Sequence, residues 1–409
     1  MSVAGIRQRF PALVADPRVV YLDSASTTQK PGPVVDTVVR YLAEETANAG
    51  RGTYPWANRV TRRVERVREQ VARFVGAGSP DEIVFTAGAT ASLNAVALAW
   101  GLANLRDGDE ILLNPRDHSS NVYPWLNLQR ILHRFGTTVH LVPYGVTATG
   151  EADTDDILSK IGVRTRLITT SHVHNVFGSM TTLEELRGRI DSSVLLCFDC
   201  SQSAGHVPID VTALGADFAA FSAHKMFGAP GTGVLYCHRR VHRQVQPFLP
   251  GGHSGVAVDS GVLRATGMPY LLEGGTADVA GILALGAAIE FIDDVGIATI
   301  AAHNRDLTLQ VVDRLRRIPA LEFLPGVAAA TCRVGYGIVS FTVDGVAAGD
   351  LGFALASRDF YVRTGSHCLP DAQPQDDSVR VGLHVYNTAD EIHRFADFLE
   401  LIVKEVVQP

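Results

Sequence analysis

The stretch VLLCFDCSQSAGHVPIDVTALGADFAAFSAHKMFGAPGTGVLY, residues 194–236, decides the reading of the fold. It contains three short apolar runs, VLLCF, DFAAF and GVLY, separated by turn and loop residues. Outward toward residue 82, the runs IVF, EILL, TVHLV and RLITT have the same character, with helical stretches such as 90–103 and 121–134 between them. Short runs that are apolar throughout belong to strands covered on both faces, and their alternation with helices predicts βαβ units and a mostly parallel sheet. Ligands of such α/β sheets collect beyond the carboxyl ends of the strands. Asp199 closes one apolar run, and Lys225 follows the next.

On the amino-terminal side, 33–47 and 58–75 have helical periodicity. In the second, Val60, Val64, Val67 and Val71 form an apolar stripe opposite Arg59, Arg62, Arg63 and Arg66, which read as a solvated face balanced by Glu65 and Glu69. After Gly275 the pattern changes. Helical stretches at 278–294 and 298–317 precede a sheet-like segment at 336–343, a helix at 348–358, the loop RTGSHCLP and a terminal helix at 388–406. The expected organisation is a large α/β domain over 21–280 and a smaller α+β domain over 281–409 that carries the Cys368 loop.

A chain of 409 residues with 46% hydrophobic content is long enough for two sizeable cores. A net charge of −7 disfavours nucleic-acid binding through a basic surface. No uninterrupted apolar stretch has bilayer-spanning length and the first residues lack a signal-peptide core, so a cytoplasmic protein is expected, with no membrane partner. Five cysteines do not suggest a disulfide framework. Cys197 and Cys200 form a C-x-x-C, but on a strand over 194–199 residues three apart point to opposite faces, so they are not expected to converge unless the strand ends between them. His172 and His174 share a strand face; without a third ligand they make no metal site, and at least one is expected to line a ligand pocket.

Lys225, flanked by small and apolar residues, has its charged form disfavoured, which frees the amine for a Schiff base with an aldehyde cofactor. Asp199 is placed to pair with a pyridinium nitrogen, so the two together point to pyridoxal 5'-phosphate. Ala89-Thr90, directly before a helical stretch, offers backbone N–H groups and a hydroxyl to its phosphate. The GAPGTG after Lys225 lacks the order of a nucleotide-binding loop and reads as a tight turn into GVLY.

The segments YLDSASTTQKP (21–31), TAGATASLNAVA (86–97), RDHSSNVYPW (116–125), SHVHNVFGS (171–179), FDCSQSAGHVPID (198–210), FSAHKMFGAPGTGVLY (221–236), GGTA (274–277), RTGSHCLP (363–370) and VRVGLHVYNTADEI (379–392) follow one another as in a known family. In this series the chain resembles the class V aminotransferases, most of all the SUF-type (group II) cysteine desulfurases and their selenocysteine lyase relatives. The resemblance implies a PLP fold type I (aspartate aminotransferase-like) large domain, a small domain joined by residues 1–20, and a homodimer. It implies that Thr90, Ser222 and His224 hold the phosphate and that Thr276 reaches it from the neighbouring subunit. It further implies that His118 stacks on the pyridine ring and takes part in proton transfer, while Asp199 and Gln202 bond the ring nitrogen and the phenolic oxygen. Arg380 would clamp the substrate α-carboxylate, with Asn175 nearby.

By the same resemblance Cys368, beside His367 and Arg363, is the nucleophile that takes sulfur from L-cysteine as a persulfide, leaving L-alanine. Positive potential from His367 and Arg363 is expected to favour its thiolate. A sulfur-acceptor protein is the implied partner. The alternative activity is that of a C–S lyase or selenocysteine lyase without a protein persulfide. A catalytically idle scaffold is disfavoured by the joint presence of Lys225, Asp199, His118 and Arg380. The chain departs from the family pattern at Gly50 and Tyr54, where the family has histidines, at PGGHSGV (250–256), and at Ser366. These departures are expected near the substrate or the sulfur exit and point toward a specialised sulfur pathway.

Overall fold

In the computed structural model, which describes residues 3–50, 52–181, 183–254, 256–265, 267–324, 336–370, 372–373 and 377–407, the apolar runs form one seven-stranded sheet. Its strands are β1 (Ile83–Thr86), β2 (Glu110–Leu113), β3 (His140–Pro143), β4 (Thr165–Ser171), β5 (Leu195–Asp199), β6 (Phe218–Ser222) and β7 (Gly233–Cys237). They lie in the order β1-β7-β6-β5-β4-β2-β3. All neighbours are parallel except around β7, which runs antiparallel to both β6 and β1. The physical reason is the connection: the short loop after Ser222 has no room for a crossover helix, so the chain must double back. Lys225 sits on that loop.

Burial along β5 shows why its sequence is apolar throughout. Leu195 and Cys197 enter the core on one face with Leu93, Trp125 and Leu128, whereas Leu196, Phe198 and then Cys200 enter the core on the other face with Val60, Val64 and Ile282. Each fully buried Leu or Phe contributes roughly 1.5–3 kcal/mol. The strand ends at Asp199, between the two thiols, yet Cys200 continues the alternation and the two lie in different cores.

The helix expected over 90–103 runs Ala89–Ala95, continues as a π-helical turn through Gly101 and ends at Asn104. Gly101 lets it approach the helix Ser119–Arg134: a Cβ there would stand 2.5 Å from Leu128 Cδ2. The helix Gly32–Glu44 stops before residue 47 because the Thr46 hydroxyl takes up the last carbonyls, those of Tyr41 and Leu42. The helix Pro55–Val75 buries the predicted valine stripe. The helix Val279–Val295 is buried in the same core, so the large apolar body extends past residue 280 to Val295.

A second, antiparallel sheet contains β8 (Leu321–Phe323), β9 (Ile338–Val343), β10 (Arg363–Gly365) and β11 (Ser378–Gly382), in the order β8-β9-β11-β10. Leu307 and Val311 of the helix Ile297–Leu315 and Phe395 and Leu399 of the helix Ala389–Val407 complete its core. The amino-terminal segment touches both bodies. Ile6, Phe10 and Leu13 belong to the large core, while Val20 and Leu22 belong to the small one, where Val20 pairs with Phe360. Among the described residues no helix is long and apolar enough to cross a membrane.

Candidate active site

The carboxyl ends of β5 and β6 and the sheet edge at β10 and β11 enclose a cavity of about 250 Å³. Its walls include Thr90, His118, Asn175, Asp199, Gln202, Ser222, His224, Lys225, Arg363, Cys368 and Arg380. The structure therefore brings together every site residue named from the sequence except Thr276. That residue lines a separate cavity of about 310 Å³, with Phe85, His253 and Glu273.

Lys225 ends a 3-10 turn that follows β6 directly. Burial lowers its ammonium to about 8; Asp199 opposes the shift and Arg380 adds to it. An amine in that range is available as a nucleophile and as a proton carrier near neutral pH. Asp199 is the last residue of β5, buried, with Oδ1 accepting the Ser201 N–H at 2.9 Å. His118 caps the helix Ser119–Arg134: its Nδ1 accepts the Ser120 N–H at 3.1 Å, which leaves the ring proton on Nε2. Burial first and the neighbouring Lys225 second lower His118 to about 4, so it is neutral at physiological pH.

The anion end is built by a close crossing of backbone. Gly233 opens β7 against Gly88, and a Cβ on Gly233 would stand 2.4 Å from the Gly88 Cα. Gly88 itself has φ 143, a conformation that favours glycine. This brings the Ala89 N–H to 2.8 Å from Ser222 Oγ, and Thr90 Oγ1 to 2.7 Å from Ser120 Oγ, beside His224. Hydroxyls and N–H groups at the start of a helical stretch suit a phosphate.

At the opposite wall the strand register sets Arg363 directly across from Arg380. Like charges facing each other on neighbouring strands repel. Arg380 is held there by Asn175 O at 2.9 Å, Ser26 Oγ at 2.8 Å and, at 3.6 Å, the Asp23 carboxylate. Burial lowers its guanidinium to about 10, with Asp23 opposing and Arg363 reinforcing the shift, so it stays charged. An anionic ligand resolves the repulsion, and a carboxylate matches the guanidinium fork.

Cys368 is exposed on the loop between β10 and β11. The loop is anchored where Ser119 N–H donates to Cys368 O at 2.9 Å and Asn175 Nδ2 donates to His367 O at 2.8 Å. His367 differs from expectation: buried against Ser378 Oγ at 2.9 Å and flanked by Arg380 and Arg363, it is pushed down to about 3 and carries no charge. The positive charges that share the cavity with Cys368 therefore belong to Arg363, Arg380 and protonated Lys225, and not to His367.

Neither His172 nor His174 lines the cavity. His174 stacks on Phe177 with centroids 4.2 Å apart and bonds the Arg116 carbonyl, and burial lowers both imidazoles to about 4. Among the described residues no cluster of metal-ligating side chains occurs. The departures from the family pattern also lie away from this cavity. Tyr54 and Trp56 are 51% and 50% exposed at the start of the helix Pro55–Val75. Gly50 has φ 79 and faces His253, whose Cε1 would stand 2.5 Å from a Cβ at position 50, so the imidazole occupies space that the missing side chain leaves free. Only Ser366 lies on the Cys368 loop, where its carbonyl accepts the Leu369 N–H. Gly255 lies outside the described residues.

Sequence reasoning missed Asp117, buried beside His118. It accepts from Asn121 Nδ2 and Ser171 N–H at 2.9 Å, and burial raises its carboxyl to about 7. It also missed Ser26 and Ser120 in the cavity wall. Their signal lay in adjacency, since Asp117 and Ser120 flank His118 in RDHSS.

Among the described residues, four buried polar atoms of wall residues have no partner in the protein: Gln202 Oε1, Asn175 Oδ1, His367 Nδ1 and Arg380 Nε. Each buried group left unmatched costs about 1–3 kcal/mol, which a polar ligand recovers. Gln202 Nε2 spends one N–H on Ala25 O at 2.8 Å and keeps the second. The donor set fits pyridoxal phosphate, with an anion cradle at one end, a carboxylate at the strand terminus and a lysine between them.

Fold and site together define a two-bodied α/β protein whose buried cavity lysine, Lys225, follows a strand of a mostly parallel sheet, the arrangement of the PLP fold type I enzymes. The chain belongs to the class-V aminotransferase family, whose model matches residues 20–395 and whose members use pyridoxal phosphate. It is 34% identical over 409 residues to a probable cysteine desulfurase of Halalkalibacterium halodurans, with 98% of each chain covered. It is likewise 34% identical to a cysteine desulfurase of Klebsiella pneumoniae, again with 98% of each covered. Among solved structures, the apo cysteine desulfurase of Thermococcus onnurineus superposes with a TM-score of 0.90 at 30% identity, covering 99% of both chains. The cysteine desulfurase CsdA of Escherichia coli gives 0.88 at 30% identity, with the same coverage.

Proposed function

We propose that this chain is a pyridoxal-phosphate-dependent cysteine desulfurase that converts L-cysteine to L-alanine and carries the sulfur on Cys368. The observation that supports this reading best is the convergence of Lys225, the Arg363–Arg380 pair and an exposed cysteine on one cavity of about 250 Å³.

Bound pyridoxal phosphate supplies an aldehyde for an amine and a ring that accepts electrons from the substrate Cα. Thr90, Ser222 and His224 would hold its phosphate, Asp199 and Gln202 its ring nitrogen and phenolic oxygen, and His118 would pack against the ring. Arg380, with Arg363 and Asn175, binds the substrate α-carboxylate and so orients the amino acid. Lys225, lowered to about 8, takes the proton from Cα. The Cys368 thiolate then attacks the substrate sulfur. A sulfur–sulfur bond forms as the Cβ–S bond breaks; the bond's electron pair stays with the carbon, which takes a proton and leaves as alanine. Cys368 retains the second sulfur as a persulfide for an acceptor protein, to which its exposure gives access.

In a homodimer, Thr276 of the partner subunit would complete the phosphate site. Its position in a different cavity from that of Lys225 in the same chain is consistent with this. Product analysis on purified protein with PLP and L-cysteine tests the reading. Alanine in step with sulfur on Cys368 supports it, whereas pyruvate, ammonia and sulfide would establish the C–S lyase instead.

A further inference from the structure

Lys30 is outside the cavity wall and has no part in the chemistry above, yet it is more than half buried beside the reactive turn. Its Nζ lies 2.6 Å from Thr28 O and 2.8 Å from His224 O, with the Thr27 and Thr28 hydroxyls at 3.4 Å. Among the described residues no carboxylate pairs with it. Burial lowers the amine to about 7. Enclosing an amine among neutral oxygens is costly, and a lysine stem would ordinarily carry its head to water.

What it grips is the peptide immediately before Lys225. The His224 carbonyl also receives the Thr28 N–H at 3.0 Å, Thr27 Oγ1 at 3.0 Å and Thr28 Oγ1 at 3.1 Å. Four donors converge on one oxygen. The Thr28 hydroxyl in turn accepts the Phe227 N–H at 2.8 Å, so both ends of the turn that presents Lys225 are tied to one short segment. The other end of that segment reaches the substrate side: Ser26 and Asp23 hold Arg380, and Ala25 O holds Gln202. Residues 23–30 thus form a strut between the lysine and the carboxylate clamp, and Lys30 closes its far end.

We propose that Lys30 is a positioning residue: by donating to the His224 carbonyl it fixes the peptide before Lys225 and hence the direction in which the reactive amine leaves the backbone. The proposal rests on the desulfurase reading for its kinetic consequence and on Lys225 alone for its binding consequence.

The test compares Lys30→Met, which removes the donor, with Lys30→Gln, which keeps an N–H donor without charge. Both are made in the full chain and stripped of cofactor. Colour recovery on adding PLP reports how Lys225 is presented, whatever the later chemistry. Lys30→Met is expected to recover its colour roughly tenfold more slowly and to lose roughly tenfold in kcat for alanine formation, with KM for L-cysteine within about twofold. Lys30→Gln is expected to regain most of both rates, at a melting temperature matching that of the Met variant. Wild-type rates in Lys30→Met would overturn the proposal. So would equal loss in both variants in step with thermal stability, which would make Lys30 a structural residue. Wild-type protein that regains colour but makes no alanine would refute the desulfurase reading and leave the colour comparison to decide the role of Lys30.

Discussion

The Lys225 turn and the Cys368 loop face each other across one cavity, and they are built in opposite ways. The first joins two central strands, and its backbone is bonded at both ends to residues 27–30. The second leaves Cys368 exposed, and its backbone takes positive φ at two successive non-glycine residues, His367 at 53 and Cys368 at 63. Such conformations cost about 1–3 kcal/mol each and persist only where the surroundings enforce them, here the bonds from Ser119 and Asn175. Proton transfer at Cα needs a fixed amine; sulfur transfer to another protein needs a thiol that solvent can reach. The two halves therefore respond differently to perturbation.

The largest expected effect comes from the fixed half. Lys225→Ala should lower alanine formation by about a thousandfold or more and abolish the yellow colour, while circular dichroism stays that of the folded protein. Retained colour would remove Lys225 from its assigned role.

Between the halves stands Arg380. Arg380→Met removes the buried guanidinium to which the proposed function assigns the substrate carboxylate, and losses of about 2–5 kcal/mol are usual when one partner of such a pair is removed. A rise of roughly thirtyfold or more in KM for L-cysteine is expected, with a smaller fall in kcat. Unchanged KM in steady-state kinetics would reassign Arg380 to holding Asn175 and Ser26.

Acid should destabilise the fold as a whole rather than one half alone. His172, His174 and His206 are buried and neutral, lowered by that burial from 6.5 to about 4. Below 6.5 the unfolded chain takes up protons that the folded chain refuses until about 4, so stability is lost as pH falls through that window. Each histidine contributes up to about 1.4 kcal/mol per pH unit there. Urea midpoints taken between neutral and mildly acidic pH should decline steadily; a flat profile would contradict the burial of these imidazoles.

The smallest effect is expected at position 50. Gly50→Ala sets a Cβ against His253 and forces a positive φ on alanine, with a cost of about 1–3 kcal/mol. Thermal melting should shift by a few degrees while cofactor colour is unaffected.

How far the sequence foretold this arrangement follows the same division. The strands around Asp199 and Lys225 were legible because a sheet covered on both faces demands uninterrupted apolar runs; the separation of Cys197 from Cys200 was expected only if the strand ran through both, and although it ends at Asp199 the two still enter different cores. The antiparallel course of β7 was not legible, because it depends on the shortness of one connection. Lys30 falls inside the segment YLDSASTTQKP that carries the resemblance, but the sequence assigns it no contact, and only the fold places the His224 carbonyl beside it. The neutral state of His367 was misread for a similar reason, since burial and two arginines reverse what the proximity of a histidine to Cys368 suggests. Gly50 and His253 look like two unrelated departures until the fold puts one in the space left by the other.

The division of labour across the cavity is tested most directly in Cys368→Ala, by following its visible spectrum and its alanine output together after addition of L-cysteine. The fixed half should remain intact, so the variant should be as yellow as wild type and its spectrum should respond to L-cysteine, while alanine formation ceases and no peptide gains the mass of a sulfur atom. Alanine formed at the wild-type rate would contradict the assignment of Cys368 as the sulfur-accepting nucleophile.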